Sequence, residues 1–199
     1  MKDITLKNTV KENHLDFVGE DLVINFINTR RIVEGQLIDT LQSDSDVKAW
    51  LRRLEVPVAK GSLPFSDCVL LKGARELREI ALAAVQGRKS GKKPSLAALN
   101  GFLEDAPGHA VLTTDDARNI HVTRVYGKDT VEAFLAPVAE AVADLIADGD
   151  FDLVRRCEGE ACVLWFYDRT KGHRRRWRTS TGCGNRAKVA AFRARASQI

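Results

Sequence analysis

Three cysteines in the last quarter of the chain have a spacing that suits a structural metal ion. Cys157 and Cys162 are separated by four residues, and Cys183 follows after twenty more, at the predicted start of a helix. A turn and a helix N-terminus that both present thiolates can enclose a tetrahedral zinc ion. The charged segment Met1–His14 has no apolar signal core, so free thiols in a reducing, cytoplasmic compartment are expected instead of disulfides. The spacing therefore predicts a small treble-clef-like finger.

The segment from Arg169 to Ile199 is strongly basic. It contains ten lysines and arginines and no acidic residue, whereas the first 168 residues contain 21 basic and 27 acidic residues, a net charge of −6. A charge run is often only a solvated face, but a polyanion would relieve the repulsion among these cations and release its counterions. The candidate nucleic-acid-binding residues are Arg174, Arg175, Arg176, Arg178, Arg186, Lys188, Arg193 and Arg195. Phosphate contacts alone do not distinguish DNA from RNA, so both partners stay open.

Other functional classes have little support in the sequence. It contains no G-x-S-x-G, H-E-x-x-H or G-x-G-x-x-G motif, and the loop Gly87–Pro94 lacks the phosphate-loop spacing. The four histidines, which are His14, His109, His121 and His173, belong to no nucleophile or metal motif. No apolar run approaches the roughly 18 residues that a membrane helix needs. We therefore expect no enzyme activity, no catalytic residues and no membrane partner.

The first 150 residues have the pattern of an α+β domain. Leu22–Ile27 is rich in branched and aromatic residues and is interpreted as a buried strand. The other predicted elements are helices at Ser43–Leu54, Ser66–Gln86 and Ser95–Leu103, a hairpin of His109–Thr114 with Asn119–Val125, and a helix from Pro137 to Ala147. Ser43 and Ser95 are the predicted N-caps, and Pro137 is placed in a first helical turn. Cys68 is interpreted as a small core residue of the long helix.

Polar residues follow the predicted strand at Asn28, Thr29 and Arg30. Residues in such a position often line a pocket, so these three are the candidate ligand-binding residues of a small-molecule receptor. A simple cap of the strand end explains them equally well.

The last fifty residues are predicted to form a hairpin and a helix around the cysteines. Val163–Asp168 is the first hairpin strand and His173–Trp177 the second, with a turn at Arg169–Gly172. In the terminal helix, Val189, Phe192 and Ala196 share one face. This apolar face is expected to dock onto the hairpin, which leaves basic side chains at its rims.

These residues resemble the CGNR zinc-finger family, whose members carry an N-terminal ABATE domain and are regarded as prokaryotic stress-induced transcription regulators. The resemblance rests on Arg156-Cys157, Cys162, Phe166-x-Asp168, Arg175-Arg176-Trp177 and Cys183-Gly184-Asn185-Arg186, and more loosely on Asn25–Thr29, Trp50-Leu51 and Leu77-Arg78-Glu79. It implies zinc as a cofactor, bound by Cys157, Cys162 and Cys183. It also implies DNA binding and transcription regulation.

One position departs from the family pattern. The residue after Arg-Arg-Trp is a cysteine in the family and is Arg178 here. Structural zinc sites are almost always four-coordinate, and a guanidinium would repel the ion. His173 lies five residues upstream, roughly 16 Å along an extended strand, and is a poor substitute. Zinc occupancy is therefore left open between a three-thiolate site and no metal.

The sequence thus predicts an ABATE-like α+β domain at residues 1–150 and a CGNR-type finger with a basic helix at 151–199. The leading interpretation is a DNA-binding transcription regulator in which the finger binds DNA and the N-terminal domain senses a signal or forms a homodimer. The alternatives are an RNA- or ribosome-associated protein and a small-molecule receptor with a degenerate finger.

Overall fold

The structure, a computed structural model, describes residues 20–33, 35–54, 56, 66–106, 108–127 and 129–196. The helices are α1 (Glu20–Ile27), α2 (Asp44–Arg53), α3 (Val69–Lys89), α4 (Ala97–Glu104), α5 (Val131–Asp148) and α6 (Asn185–Ala196). The strands are β1 (Arg30–Val33), β2 (Gln36–Asp39), β3 (Gly108–Thr114), β4 (Ile120–Tyr126), β5 (Val154–Arg156) and β6 (Trp165–Tyr167). This mixture of helices and strands confirms the α+β class. The segment Pro57–Pro64, which the sequence predicts to be a loop, lies outside the described residues. So do His14 and the charged N-terminus.

Helix α5 is the centre of the larger core. It contacts α1, α3 and α4, and eleven of its residues are buried. It begins earlier than predicted, because the hydroxyl of Thr130 accepts a hydrogen bond from the Ala133 amide at 3.1 Å and caps the helix. Pro137 therefore lies in the helix interior, where proline costs about 3 kcal/mol or more. Burial of the apolar turn before it, which includes Phe134 and Leu135, offsets that cost.

The predicted strand at Leu22–Ile27 is wrong, because these residues form α1. Its apolar side chains are buried on nearly every side, against α3, α5 and β6. A continuous apolar run has the same pattern in a fully buried helix as in a buried strand, so periodicity could not separate the two. Packing from three sides favours the helix.

The ends of the other helices confirm some capping predictions and correct others. Ser43 caps α2 as predicted, and its hydroxyl accepts from the Asp46 amide at 3.1 Å. Helix α4 begins after Leu96, with no side-chain cap, so the predicted cap at Ser95 is wrong. Cys68 precedes α3 in the left-handed region, with φ at 67°, and is exposed. The prediction that Cys68 is a core residue is therefore also wrong.

The six strands form three separate antiparallel pairs, β1 with β2, β3 with β4, and β5 with β6. The β3–β4 hairpin matches the prediction and pairs Leu112 with Val122. Its apolar face is open to solvent, since Leu112, Ile120 and Val122 are about 70% exposed. The β1–β2 hairpin is held to α3 by Arg78, which is 2% exposed and donates to both carboxylate oxygens of Asp39 at 2.8 and 2.5 Å.

The pair β5–β6 is joined to the larger core. Val154 and Trp165 belong to the same cluster of buried residues as α1 and α5. The side-chain amide of Asn28 donates to the Trp165 carbonyl and accepts from the Trp165 amide, both at 2.8 Å. One residue just after α1 thus completes the outer edge of β6. Within the described part of the chain, no helix is long and apolar enough to cross a bilayer.

Candidate metal centre and nucleic-acid interface

Strands β5 and β6 carry a short knuckle between them. Arg156 pairs with Trp165 across the two strands, and the Cys157 amide donates to the Leu164 carbonyl at 2.9 Å. The Cys162 amide donates to the Gly159 carbonyl at 2.9 Å, which closes the knuckle turn. The predicted hairpin of residues 163–168 with 173–177 is wrong, since β6 pairs with β5 and residues 173–177 form no strand. The knuckle itself therefore supplies the turn that joins the two paired strands.

Cys183 reaches the knuckle from a π-helical turn, Ser180–Gly184, that leads directly into α6. The Gly184 amide donates to the Thr179 carbonyl at 3.1 Å. Gly184 lies against the Trp177 ring, from which a Cβ at this position would be 3.4 Å away. Helix α6 then begins at Asn185, which confirms the predicted helix start after Cys183.

The three sulfur atoms form one cluster. The Sγ atoms of Cys157, Cys162 and Cys183 all lie within 4.8 Å of one another. A tetrahedral zinc ion with bonds of about 2.3 Å holds its sulfurs about 3.8 Å apart, so a movement of about 1 Å would suffice. A Cβ at Gly159 would lie 3.2 Å from Cys183 Sγ and also close to Cys162, so glycine leaves room for the thiols to converge. The donor set and the space both fit zinc bound by three thiolates.

Main-chain and arginine donors surround these sulfurs. The Arg178 amide donates to Cys157 Sγ at 3.4 Å, and the Arg186 guanidinium donates to Cys183 Sγ at 3.2 Å. Burial alone would raise the pKa of Cys157, but the amides of Arg178 and Gly159 lower it overall. Burial and the neighbouring Cys157 raise the pKa of Cys162 to about 11. Of these two thiols, Cys157 therefore ionises before Cys162.

Arg178 lies beside the cluster through its main chain. Its amide lies against Cys157, while its side chain is exposed. The His173 ring contacts the Asp168 carbonyl at 3.1 Å instead of the cluster. Among the described residues, the cluster of possible metal ligands contains only the three cysteines. The geometry thus places position 178 beside the three sulfurs.

Two family models match the chain. One covers residues 20–149 and is the ABATE domain, described as "Putative stress-induced transcription regulator". The other covers residues 154–196 and is the CGNR zinc finger. The chain belongs to the ABATE family. No curated protein matches it.

From Arg169 to Arg195 the basic residues of the CGNR finger are all exposed, but they do not all have the same surroundings. Arg175 donates to the Trp177 carbonyl at 3.0 Å and stacks over Phe166, and Arg176 pairs with Glu158 at 2.6 Å. These two arginines therefore help to hold the finger together. Arg174, Arg178, Lys188 and Arg195 extend into solvent and are the cations most available to a polyanion.

Helix α6 does not dock as predicted. Val189 is 44% exposed and Phe192 is 67% exposed, so the apolar face meets solvent instead of the hairpin. The hairpin surface is already covered, because Trp165 packs into the ABATE core and Phe166 packs with the cysteines. Helix α6 thus offers an open face of small and apolar residues flanked by arginines.

The predicted ligand-binding residues of the ABATE domain make internal contacts. Asn28 binds the main chain of Trp165, and Arg30 pairs with Glu79 at 2.5 Å. Thr29 is buried and accepts a hydrogen bond from Arg78 at 2.8 Å. Their role toward a ligand stays a prediction. Sequence reasoning missed the link from Asn28 to Trp165 and the contact of Arg186 with Cys183, although the latter follows from three-residue helical spacing.

Proposed function

We propose that this protein is a non-enzymatic, DNA-binding transcription regulator of the cytoplasm, in which the CGNR finger binds the DNA backbone and the ABATE domain senses a signal or dimerises. The observation that carries this proposal is the charge of the finger. Between Arg169 and Arg195 ten basic side chains are exposed and no acidic residue occurs. Cations so arranged bind phosphates and release counterions. The exposed face of α6 adds a narrow helix that fits a DNA groove.

Zinc belongs to this proposal as the finger's structural ion. Cys157, Cys162 and Cys183 would hold it, and it would fix the knuckle to the start of α6. The bound ion would contribute to the folding of the finger, as structural zinc does in other small domains.

The salt dependence of binding tests the finger's role. Affinity for duplex DNA should fall steeply on a log–log plot against salt, with a slope of about −0.9 per phosphate neutralised. Changing Arg174, Arg178, Lys188 and Arg195 together to Gln should flatten the slope by about 2 to 4. Arg175 and Arg176 are left intact because they hold the finger together.

A matched control removes the same charge from the ABATE domain, at the exposed residues Arg31, Arg52, Arg53 and Lys72. This control should keep the slope of the unaltered protein. If both variants flatten the salt slope equally, the finger is ruled out as the binding surface. A slope near zero in the unaltered protein would rule it out as well. Preference for structured RNA over duplex DNA in direct competition would favour the RNA-binding alternative. Selection from random DNA would then give the binding site.

A groove in the ABATE domain favours the sensing role. A cavity of about 590 Å³ lies between α4, the loop before it and the second half of α5. Its floor is formed by Leu99, Ala143 and Ile146. Among the described residues that line it, Arg88, Lys92 and Lys93 are cations and none is acidic. An apolar floor with a cationic rim suits a small amphipathic anion. Arg88 also stacks over Phe151, 5.5 Å from the ring centre, at the connection to the finger.

Calorimetric titration without DNA tests this groove with decanoate, decyl phosphate, decanol and inorganic phosphate. We expect at least one of the two amphipathic anions to bind at one site. Decanol and inorganic phosphate should bind at least tenfold more weakly. The double variant Lys92→Gln with Lys93→Gln should bind that anion at least tenfold more weakly. The matched double variant Arg52→Gln with Lys72→Gln should bind it as tightly as the unaltered protein. The groove would be excluded as the sensing site if decanol bound as tightly as the anion. Unchanged anion binding in the Lys92→Gln, Lys93→Gln variant would exclude it too.

A further inference from the structure

The three-thiol cluster has the donor set that trivalent arsenic requires. Cys157, Cys162 and Cys183 converge within 4.8 Å, and a fourth protein ligand is absent from the cluster that the described residues form. Zinc with these ligands would still need a fourth donor. Trivalent arsenic is thiophilic, and its stable complexes with thiols are three-coordinate pyramids in which a lone pair takes the remaining direction. We propose that this cluster binds As(III) through all three sulfurs.

The reaction balances without an oxidant or a reductant. Arsenous acid, As(OH)₃, reacts with three thiols to form three As–S bonds and to break three As–O bonds. Each thiol proton leaves with one hydroxide as water, so three water molecules are released and arsenic stays in the +3 state. The reagent and the product are both neutral.

This neutrality matters next to the Arg186 guanidinium. A guanidinium disfavours a cation placed beside it but does not oppose a neutral reagent. Arg186 lies 3.2 Å from Cys183 Sγ and the Arg178 main chain lies against Cys157. Arg178, at the position where the sequence resemblance places a fourth cysteine, supplies no thiol for Zn²⁺ and leaves the three sulfurs for arsenic intact.

The site is also accessible to a small molecule and has space for the three sulfurs to converge. Cys157 and Cys183 are buried, whereas Cys162 is only partly buried and gives a small neutral molecule a first point of attack. Gly159 leaves the space in which the three sulfurs converge. The cluster thus combines access with preorganised ligands, which reduces the cost of ordering them on binding.

The test uses the full-length protein, reduced with a phosphine and freed of metal, with sodium arsenite as the probe. Native mass spectrometry should show that each chain gains the mass of one arsenic atom and loses the mass of three protons. Cys162→Ser should weaken binding at least tenfold, and Cys68→Ser, which removes the exposed thiol outside the cluster, should leave it unchanged. Arg178→Cys should shift the preference from arsenite towards zinc at least tenfold in a competition between the two.

The last variant keeps all three ligands, so it tests the proposal even if Cys162→Ser unfolds the finger. An adduct in which fewer than three thiol protons are lost per arsenic, no adduct at a tenfold excess of arsenite, or an unchanged arsenite-to-zinc preference in Arg178→Cys would each overturn the proposal. The inference does not rest on DNA binding. A failed DNA-binding test would leave it standing.

Discussion

Asp168 carries a charge in the finger although its side chain is fully buried. It accepts hydrogen bonds from the Thr170 hydroxyl at 2.6 Å and the Arg175 amide at 2.9 Å, and it lies 3.5 Å from the Arg155 guanidinium. Burial alone would raise the pKa of Asp168, but these donors lower it overall. The carboxylate thus fixes the loop that leads from β6 to Trp177.

We predict that Asp168→Asn destabilises the finger by about 3–5 kcal/mol at pH 7, because it leaves buried donors and Arg155 without their charged partner. The native stabilisation is fully present above the unfolded-state pKa of about 3.9 and is lost as pH falls through the lower folded-state pKa. The difference between the two proteins should therefore shrink below about pH 4. Urea unfolding of the reduced, metal-free proteins from pH 7 to pH 3 measures it.

The exposed Asp152→Asn is the control and should change stability by less than about 0.5 kcal/mol. A difference that persists unchanged at pH 3 would show that the charge of Asp168 is not the stabilising feature.

Arg178 determines how strongly the finger holds zinc. We predict that Arg178→Cys binds zinc more tightly and unfolds at a higher temperature, because it completes the tetrahedron and removes the guanidinium. Position 178 is already beside Cys157, as its amide contact at 3.4 Å shows. Metal content by mass spectrometry and thermal unfolding with and without chelator measure both effects.

Arg178→Ala separates the two causes, since it removes the charge without adding a thiol. It should gain less zinc affinity than Arg178→Cys. If Arg178→Cys gains neither zinc nor stability, the side chain at 178 does not reach the three sulfurs.

Helix α1 links the two family regions. Asn28, just after α1, binds both main-chain groups of Trp165, and the two residues are 137 positions apart in the chain. We predict that Asn28→Ala destabilises the protein by about 1–3 kcal/mol, because it leaves the Trp165 amide and carbonyl without partners. Limited proteolysis between α5 and β5 should become faster.

Asn100→Ala, an exposed change on α4, should alter neither stability nor cleavage measurably. Unchanged stability in Asn28→Ala would show that water replaces the amide at no cost.

The sequence predicted the elements that carry their own local signals. The cysteine spacing, the Ser43 cap, the β3–β4 hairpin and the start of α6 depend on neighbouring residues, and all were confirmed. Elements that depend on distant partners were not predictable. The run Leu22–Ile27 is helical because three elements pack around it. Strand β6 pairs with β5, which precedes the knuckle, and not with residues 173–177. The apolar face of α6 indicates amphipathicity, but it does not show whether a partner covers it.

At the scale of the whole molecule, the ABATE domain and the finger share part of one core. Trp165 is 6% exposed and packs with α1 and α5 residues. We predict that a 1–150 fragment still unfolds cooperatively, since it retains the α1, α3, α4 and α5 core. It should be less stable than the full chain by about 3–5 kcal/mol, the usual cost of removing a buried tryptophan.

Trp165→Ala in the full chain is the matched variant and should lose a similar amount. Urea unfolding followed by circular dichroism gives both values. A fragment that binds hydrophobic dyes and unfolds without cooperativity would show instead that the ABATE domain requires the finger to fold.

The bond between Asn28 and Trp165 also has a consequence for self-association. A two-stranded sheet exposes the unpaired amides and carbonyls of its outer edges, to which a strand from another molecule can add. In β6, Phe166 pairs with β5 and Trp165 faces outwards, where Asn28 occupies its donor and its acceptor. A side-chain amide from the same chain thus occupies the place of a third strand. The finger can expose its basic surface at high concentration without offering this edge as a template for aggregation.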